Sequence, residues 1–138
     1  PSAWRKVGPF HEWMEIDYID HEWCSRARRL DLNFAVLDGT NLFQTFGSRH
    51  PNPLAHHLGL QLYSSYRRAV ALRNLRWLIF QEYIPLDIRL KELIKMLLKP
   101  LIWLTLEGGR RRCLTVIWIG LTASLHKSFP RARLEKLK

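Results

Sequence analysis

The chain has 138 residues, which is enough for one modest hydrophobic core and too few for two. Hydrophobic residues make up 47% and charged residues 25%, which excludes an intrinsically disordered chain, and the two cysteines exclude both a disulfide-dense scaffold and a four-cysteine zinc site. The 22 Lys and Arg residues against 12 Asp and Glu residues give a formal net charge of +10, which is typical of a protein that contacts a polyanion.

The N-terminal part is predicted to contain an arm and one helix. Residues 1–9 are the arm, which ends in Gly8-Pro9. Over 10–29 the apolar residues recur at helical spacing, and the acidic residues precede the basic ones. That order is typical of a helix, because its dipole favours negative charge near the N-terminus and positive charge near the C-terminus.

The next two segments are predicted as a β element and a long helix. Apolar and polar residues alternate within 32–46, and Asp38-Gly39 provides a turn, so a strand or hairpin is expected there. Asn52 and Pro53 suit the N-cap and the first position of a helix. That helix is predicted to run over 54–84.

A third helix is predicted over 86–99. Its apolar residues are expected to face inward, and its lysines are expected to form one basic ridge. The inward residues are Leu86, Leu90, Leu93, Ile94 and Leu97, and the ridge is Lys91, Lys95 and Lys99. The apolar runs within 101–125 flank a Gly-Gly loop and fit either a buried hairpin or two short helices.

The resulting fold class is mainly α with a minor β-hairpin element (α+β). The chain is expected to be one small domain over 1–138 with basic extensions, the last of which is a C-terminal tail over 127–138. No run of 18 uncharged apolar residues occurs, so a transmembrane helix of ordinary length is not expected. Because the chain begins at Pro1, a trimmed start and a removed organellar leader are both open.

The positive charge is concentrated in the second half of the chain, and much of it is arginine. Arginine presents a planar fork of donors that matches phosphate, and aromatic rings next to it can stack on bases. The sequence therefore predicts that this half contacts RNA. The candidate RNA-binding residues are Arg67, Arg68, Arg73, Arg76, Trp77, Arg110, Arg111, Arg112, Lys127, Arg131, Arg133 and Lys136.

One stretch is enzyme-like. Residues 34–41, Phe-Ala-Val-Leu-Asp-Gly-Thr-Asn, resemble the first strand of PIN-like and NYN-like metal-dependent nucleases. The resemblance implies that Asp38 would hold a divalent metal. Such a site needs several oxygen ligands, and few acidic residues follow Asp38, so the alternative is that Asp38 serves a turn beside Gly39.

Other catalytic or metal-binding patterns are weak. Asp17, Asp20, His21 and Cys24 share a helix face, which makes a metal site sterically feasible, but no paired ligand motif accompanies them. No nucleophile elbow and no phosphate-binding loop of the P-loop type is present. We therefore expect a protein that is not an enzyme and that has no cofactor, no metal and no small-molecule substrate.

Three functions follow from these patterns. The first is a non-catalytic structural subunit of a ribonucleoprotein, an organellar (mitochondrial matrix) ribosomal protein that contacts rRNA through arginines and neighbouring protein subunits through tryptophan-rich apolar faces. The second is an accessory subunit of a membrane-bound organellar complex of the respiratory type, in peripheral contact with the membrane. The third is a small PIN-like nuclease. A viral or host-interaction protein would share the same composition.

Overall fold

The computed structural model describes residues 2–35, 38–39, 41, 43, 47–57, 61–107, 109–129 and 134. Its helices are α1 (Ser2–Val7), α2 (Ile19–Arg29), α3 (Pro53–His57), α4 (Ser65–Leu78), α5 (Leu86–Leu106) and α6 (Arg110–Thr122). A short 3-10 helix covers Glu12–Met14, and two short strands, β1 (Ser48–Arg49) and β2 (Gln61–Leu62), pair antiparallel. The expected class, mainly α with a minor antiparallel β element, is confirmed.

The central helix is α4. Nine of its 14 residues are buried, including Ala69, Val70, Leu72 and Leu75. Such a helix lies among its neighbours rather than on one side of them, since a surface helix buries only one stripe. The sequence prediction of one helix over 54–84 is corrected, because the segment contains α3, β2 and α4 in turn.

Helix α6 packs closely on α4. A Cβ atom added to Gly120 would lie 2.8 Å from the carbonyl oxygen of Ala69 and 2.9 Å from the Cβ of Leu72. The absence of a side chain at Gly120 therefore allows the two backbones to approach. Val116, one turn earlier, joins Ala69 and Val70 in the core.

The predicted helix over 10–29 is interrupted. Glu15, Asp17 and Tyr18 have positive φ values of 61°, 58° and 66°, and α2 begins only at Ile19. The side-chain amide of Asn74 on α4 holds this loop, donating to the carbonyl oxygens of Met14 at 2.7 Å, of residue 16 at 2.8 Å and of Asp17 at 3.1 Å. The break thus depends on a partner distant in the chain.

The N-terminal arm is also corrected, because it forms α1 and packs on α2. The indole of Trp4 stacks on that of Trp23 with ring centres 6.1 Å apart. Arg26 of α2 donates to the carbonyl oxygens of Val7 at 2.9 Å and of Pro9 at 2.8 Å. Residues 2–9 therefore belong to the folded body.

Two local predictions have clear outcomes. Asn52 is the cap of α3, because its Oδ1 accepts from the backbone N–H groups of Leu54 at 2.9 Å and Ala55 at 3.3 Å, as predicted. No strand occurs over 32–35, and much of the remaining 36–46 segment lies outside the described residues. The described β pair instead lies at 48–49 and 61–62.

The C-terminal apolar segments are helical rather than strands. Helix α5 continues past Pro100 to Leu106, and α6 follows after Gly109, which has a φ of 82°. Pro100 removes one backbone donor but does not end the helix. The prediction that the helix ends at Lys99 is therefore wrong. In the tail, Phe129 and Leu134 are buried, so the tail contributes to the core.

Candidate functional site

Three of the predicted RNA-binding residues make contacts within the fold: Arg73 and Trp77 are buried, and Arg76 is partly buried. Arg73 has no exposed surface, and it donates to the carbonyl oxygens of Lys127 at 2.9 Å and of Trp13 at 2.5 Å. Burial lowers the pKa of the Arg73 guanidinium. Arg76 donates to the carbonyl oxygens of residues 121 and 123, and Trp77 is 9% exposed. Their assignment to an RNA-facing surface is corrected: these side chains hold the fold together.

Arg67 and Arg68 are held by carboxylates. Arg67 donates to Asp17, with Nη2–Oδ1 at 2.7 Å and Nε–Oδ2 at 3.0 Å, and this hydrogen bond raises its pKa. Arg68 is 8% exposed, pairs with Glu107 and lies over the indole of Trp103. A free phosphate would have to compete with Asp17 for Arg67, because both Nε and Nη2 of that guanidinium already donate to this carboxylate. Arg68 gives Nη1 to Glu107, and its Nε has no hydrogen-bond partner within the described residues.

The exposed candidates lie on α6 and after it. Arg110, Arg111 and Arg112 at the start of α6 are exposed, and so is Lys127. Arg112 donates from Nε to the hydroxyl of Ser65 at 3.0 Å. Three further candidates lie outside the described residues: Arg131, Arg133 and Lys136.

Asp38 is exposed in a turn, and Gly39 has a φ of 80°. Asp17, from the second metal candidate, is paired with Arg67. Across the described ranges, no group of three or more His, Cys, Asp or Glu side chains is placed to hold a metal ion.

Among the described residues, α5 carries more exposed large apolar side chains than any other helix, and we call this set the leucine stripe. Its members are 37% to 77% exposed and follow one another at intervals of one, three or four residues, which places them on one side of the helix. They are Leu86, Leu90, Leu93, Ile94, Leu97, Leu98 and Leu101. The prediction that the first five face inward is therefore wrong.

The opposite side of α5 packs on the protein through polar groups. Glu92 is 6% exposed and accepts from Lys95 at 2.5 Å. Lys99 donates to the hydroxyl of Tyr18 at 3.2 Å, and burial lowers the pKa of Lys99. Burial, together with the nearby Glu92 carboxylate, raises the pKa of Tyr18. These contacts orient the helix and leave its leucines outward.

Cations border the leucine stripe on one side. At 100° per residue, Lys91 and Lys95 follow the edge of the stripe, between the exposed leucines and the packed face. The Lys91 side chain is 71% exposed and lies 3.8 Å from Asp87, whereas the Lys95 side chain is 53% exposed. The predicted ridge thus contains two exposed lysines, and its third member, Lys99, is turned toward Tyr18.

Helix α6 adds two exposed apolar side chains. Leu114 is 55% exposed and Trp118 is 69% exposed, one turn apart. A row of seven exposed apolar side chains on one helix, such as the leucine stripe, is typical of a docking surface rather than of scattered exposed residues. The spacing of the leucine stripe was visible in the sequence, but its outward direction depends on the buried Glu92 and on Lys99.

In comparisons with known proteins, no family model, no curated protein and no solved structure matches this chain. Among the described residues, none of the helices combines the length and the apolar character that crossing a membrane requires.

Proposed function

We propose that the chain is a non-catalytic accessory subunit that lies on an anionic membrane surface, with the leucine stripe of α5 against the lipid. The observation that carries the proposal is the outward direction of seven apolar side chains on a helix whose other side packs on the protein. An organellar location stays a prediction of the sequence.

The dimensions of the stripe fit a helix that lies in the membrane interface. From Leu86 to Leu101 it extends about 23 Å at 1.5 Å per residue, and it covers roughly 140° of the helix circumference. An interfacial helix buries such a face at the boundary between headgroups and acyl chains while its polar side faces away from the lipid. Here the polar side faces the rest of the protein.

Charge complementarity favours lipid over an apolar protein groove as the occupant. Lys91 and Lys95 at the edge of the stripe can extend toward headgroups while their aliphatic stems stay along the apolar surface. Each lysine near an anionic leaflet contributes about 1 kcal/mol. Both lysines have an acidic neighbour that partly offsets their charge: Asp87, which falls within the arc of the stripe, lies 3.8 Å from Lys91, and Glu92 lies 2.5 Å from Lys95.

Vesicle binding tests the proposal. Co-sedimentation with phosphatidylglycerol–phosphatidylcholine vesicles should retain the protein, and the double variant Leu90→Gln/Leu97→Gln should lower the bound fraction about tenfold, because two members of the stripe become polar. The matched control is Leu30→Gln/Leu54→Gln, since these leucines are similarly exposed (48% and 57%, against 56% and 59%) but lie outside α5.

The control variant should bind vesicles like the unmodified chain. An equal loss in both double variants, or the same binding to neutral and anionic vesicles, would contradict the proposal. Both variants are checked for folding by circular dichroism, and substitutions at exposed positions change stability by only about 0.5 kcal/mol.

RNA contact by a ribonucleoprotein subunit is the second candidate function, and the exposure of Arg110, Arg111, Arg112 and Lys127 supports it. Binding to RNA should weaken steeply with salt, because counterions are released when phosphates are neutralised. Replacing the three arginines by Ala should flatten that slope. An unchanged slope would show that RNA does not contact this end of α6.

A further inference from the structure

A cavity of about 390 Å³ lies where the β pair, the start of α4 and the junction of α5 with α6 meet. Its lining includes His50 after β1, Ser64 and Ser65 at the start of α4, and Arg68 one turn further along. Glu107 after α5 and Arg112 on α6 complete the polar part of the wall. The leucine stripe takes no part in the cavity.

Two buried donors in this wall lack hydrogen-bond partners within the described residues. His50 is 5% exposed, and its Nδ1 accepts from the backbone N–H of Asn52 at 3.1 Å, so that Nε2 carries the hydrogen. That Nε2 has no hydrogen-bond partner and lies 3.7 Å from Oε1 of Glu107. Arg68 uses Nη1 for Glu107, but its Nε has no partner. Unsatisfied buried donors are costly, and an acceptor-rich ligand would remove the cost.

Besides these two donors, the N-terminal end of α4 contributes positive potential to the cavity. The first N–H groups of a helix have no carbonyl partner within the helix, and its dipole places partial positive charge there. α4 has 14 residues, and Ser64 caps it by accepting from the N–H of Arg67 at 3.2 Å. The hydroxyl of Ser65 and the guanidinium of Arg112 are next to this end.

The charges of the wall define the ligand. Arg68 and Arg112 are opposed by Glu107, which leaves one positive charge in excess, and Glu107 is held by Arg68. An anion with several acceptor oxygens suits donors that converge from a helix start, a hydroxyl and guanidinium groups. The volume of the cavity exceeds that of one such anion, so the anion would belong to a small organic molecule.

We propose that this cavity binds a phosphate monoester, with its phosphate group at the start of α4. Arg112 and Ser65 hold the phosphate from the open side. Arg68 and His50 donate from the buried side. This site goes beyond the membrane-docking proposal and does not depend on it.

Calorimetric titration with glycerol phosphate and with inorganic phosphate tests the site. Arg112→Gln should weaken binding about tenfold, because it removes a charge-assisted donor. The matched control is Arg111→Gln, since Arg111 is the exposed neighbour of Arg112 on α6 and does not line the cavity. It should change binding less than twofold. His50→Gln, checked for folding by circular dichroism, should also weaken binding.

Two outcomes overturn the proposal. One is the absence of binding heat for both probes. The other is an equal loss in Arg111→Gln and Arg112→Gln, which would indicate general attraction to a basic surface rather than a site.

Vesicle binding shows whether the phosphate monoester is a lipid headgroup or a soluble compound. If the monoester is a lipid headgroup, Arg112→Gln lowers binding to vesicles that contain phosphatidic acid and leaves binding to phosphatidylglycerol vesicles unchanged. If it is a soluble compound, Arg112→Gln lowers only the binding of glycerol phosphate. The Leu90→Gln/Leu97→Gln variant should retain glycerol phosphate binding in either case, which separates failure of this site from failure of the leucine stripe.

Discussion

Arg73 donates from Nη2 to the carbonyl oxygen of Trp13 at 2.5 Å, and its guanidinium carbon lies 5.3 Å from the centre of the Trp13 ring. One arginine thus contacts both the backbone and the side chain of the same residue, 60 positions earlier in the chain. Asn74, the next residue on α4, holds the loop that follows Trp13. Together they connect the N-terminal segment to the central helix through polar groups, beside the apolar packing of Met14 on Trp77 and Leu78.

Replacing Asn74 by Ala should therefore be strongly destabilising. The variant leaves three carbonyl oxygens without their donor, and each buried group that loses its partner costs about 1–3 kcal/mol. A loss of roughly 3 kcal/mol in the free energy of unfolding is expected, measured by urea denaturation. Asn33→Ala is the control, because Asn33 is exposed and should change stability by less than about 0.5 kcal/mol.

Replacing Gly120 by Ala should weaken the contact between α4 and α6. The new Cβ would lie 2.8 Å from a backbone oxygen of α4, so the helices must move apart. Overpacking of this kind costs about 1–3 kcal/mol, which outweighs the gain in helix propensity of about 1 kcal/mol. Thermal unfolding measures the difference. Thr122→Ala, at an exposed position of α6, should leave the melting temperature nearly unchanged.

Stability should fall at alkaline pH, in part because of Tyr83. Its hydroxyl donates to Glu22 at 2.8 Å, and burial together with this carboxylate raises the pKa of Tyr83 above its ordinary value of 10.0. Above pH 10 the unfolded chain loses this proton and the folded chain keeps it, so the unfolded state binds fewer protons and stability decreases as pH rises.

The Tyr83→Phe variant isolates this contribution. Chemical denaturation at pH 8 and pH 11 should show a smaller loss of stability in the variant than in the unmodified chain, by up to about 1.4 kcal/mol per pH unit above 10. Tyr63→Phe, whose hydroxyl donates to Gln61 instead, is the control. Identical pH profiles for the unmodified chain and Tyr83→Phe would contradict the prediction.

Substitutions at Asp38 and Gly39 distinguish a structural role of this turn from metal binding by Asp38. Gly39 has a φ of 80°, which a β-branched residue adopts only with strain, so Gly39→Val should destabilise the fold by roughly 1–2 kcal/mol. Asp38→Asn should be nearly silent, because an amide also accepts hydrogen bonds in a turn. Magnesium-dependent RNA cleavage that Asp38→Asn abolishes would instead support the nuclease alternative.

Features set by neighbouring residues could be predicted from the sequence. Asn52 caps α3 because its side chain reaches N–H groups two and three positions later, which is a local interaction. The excess of helix over strand could also be predicted, because helical spacing of apolar residues is a local pattern. The choice between helix and strand for 101–125 stayed open, since a short apolar run fits both until its packing partners are known.

Features set by distant residues could not be predicted. The interruption before α2 depends on Asn74, and the contacts of Arg73 and Arg76 within the fold depend on carbonyl groups at 13, 121, 123 and 127. Helical spacing identifies the leucine stripe but does not give its direction. That direction follows from Glu92 and Lys99. Charged residues of this kind are expected in solvent from the sequence alone, but in the fold both lie close to Tyr18.

Some arginines stabilise the fold and others lie in solvent. We therefore expect salt to weaken binding to a polyanion more than it lowers the stability of the fold. Arg73 is buried and Arg76 is partly buried where they donate to backbone oxygens, so concentrated salt screens these contacts less than contacts in solvent. Arg110 and Arg111 lie in solvent, where the same salt weakens any attraction to an anionic surface. Washing with salt should therefore release the protein from a polyanion while it is still folded.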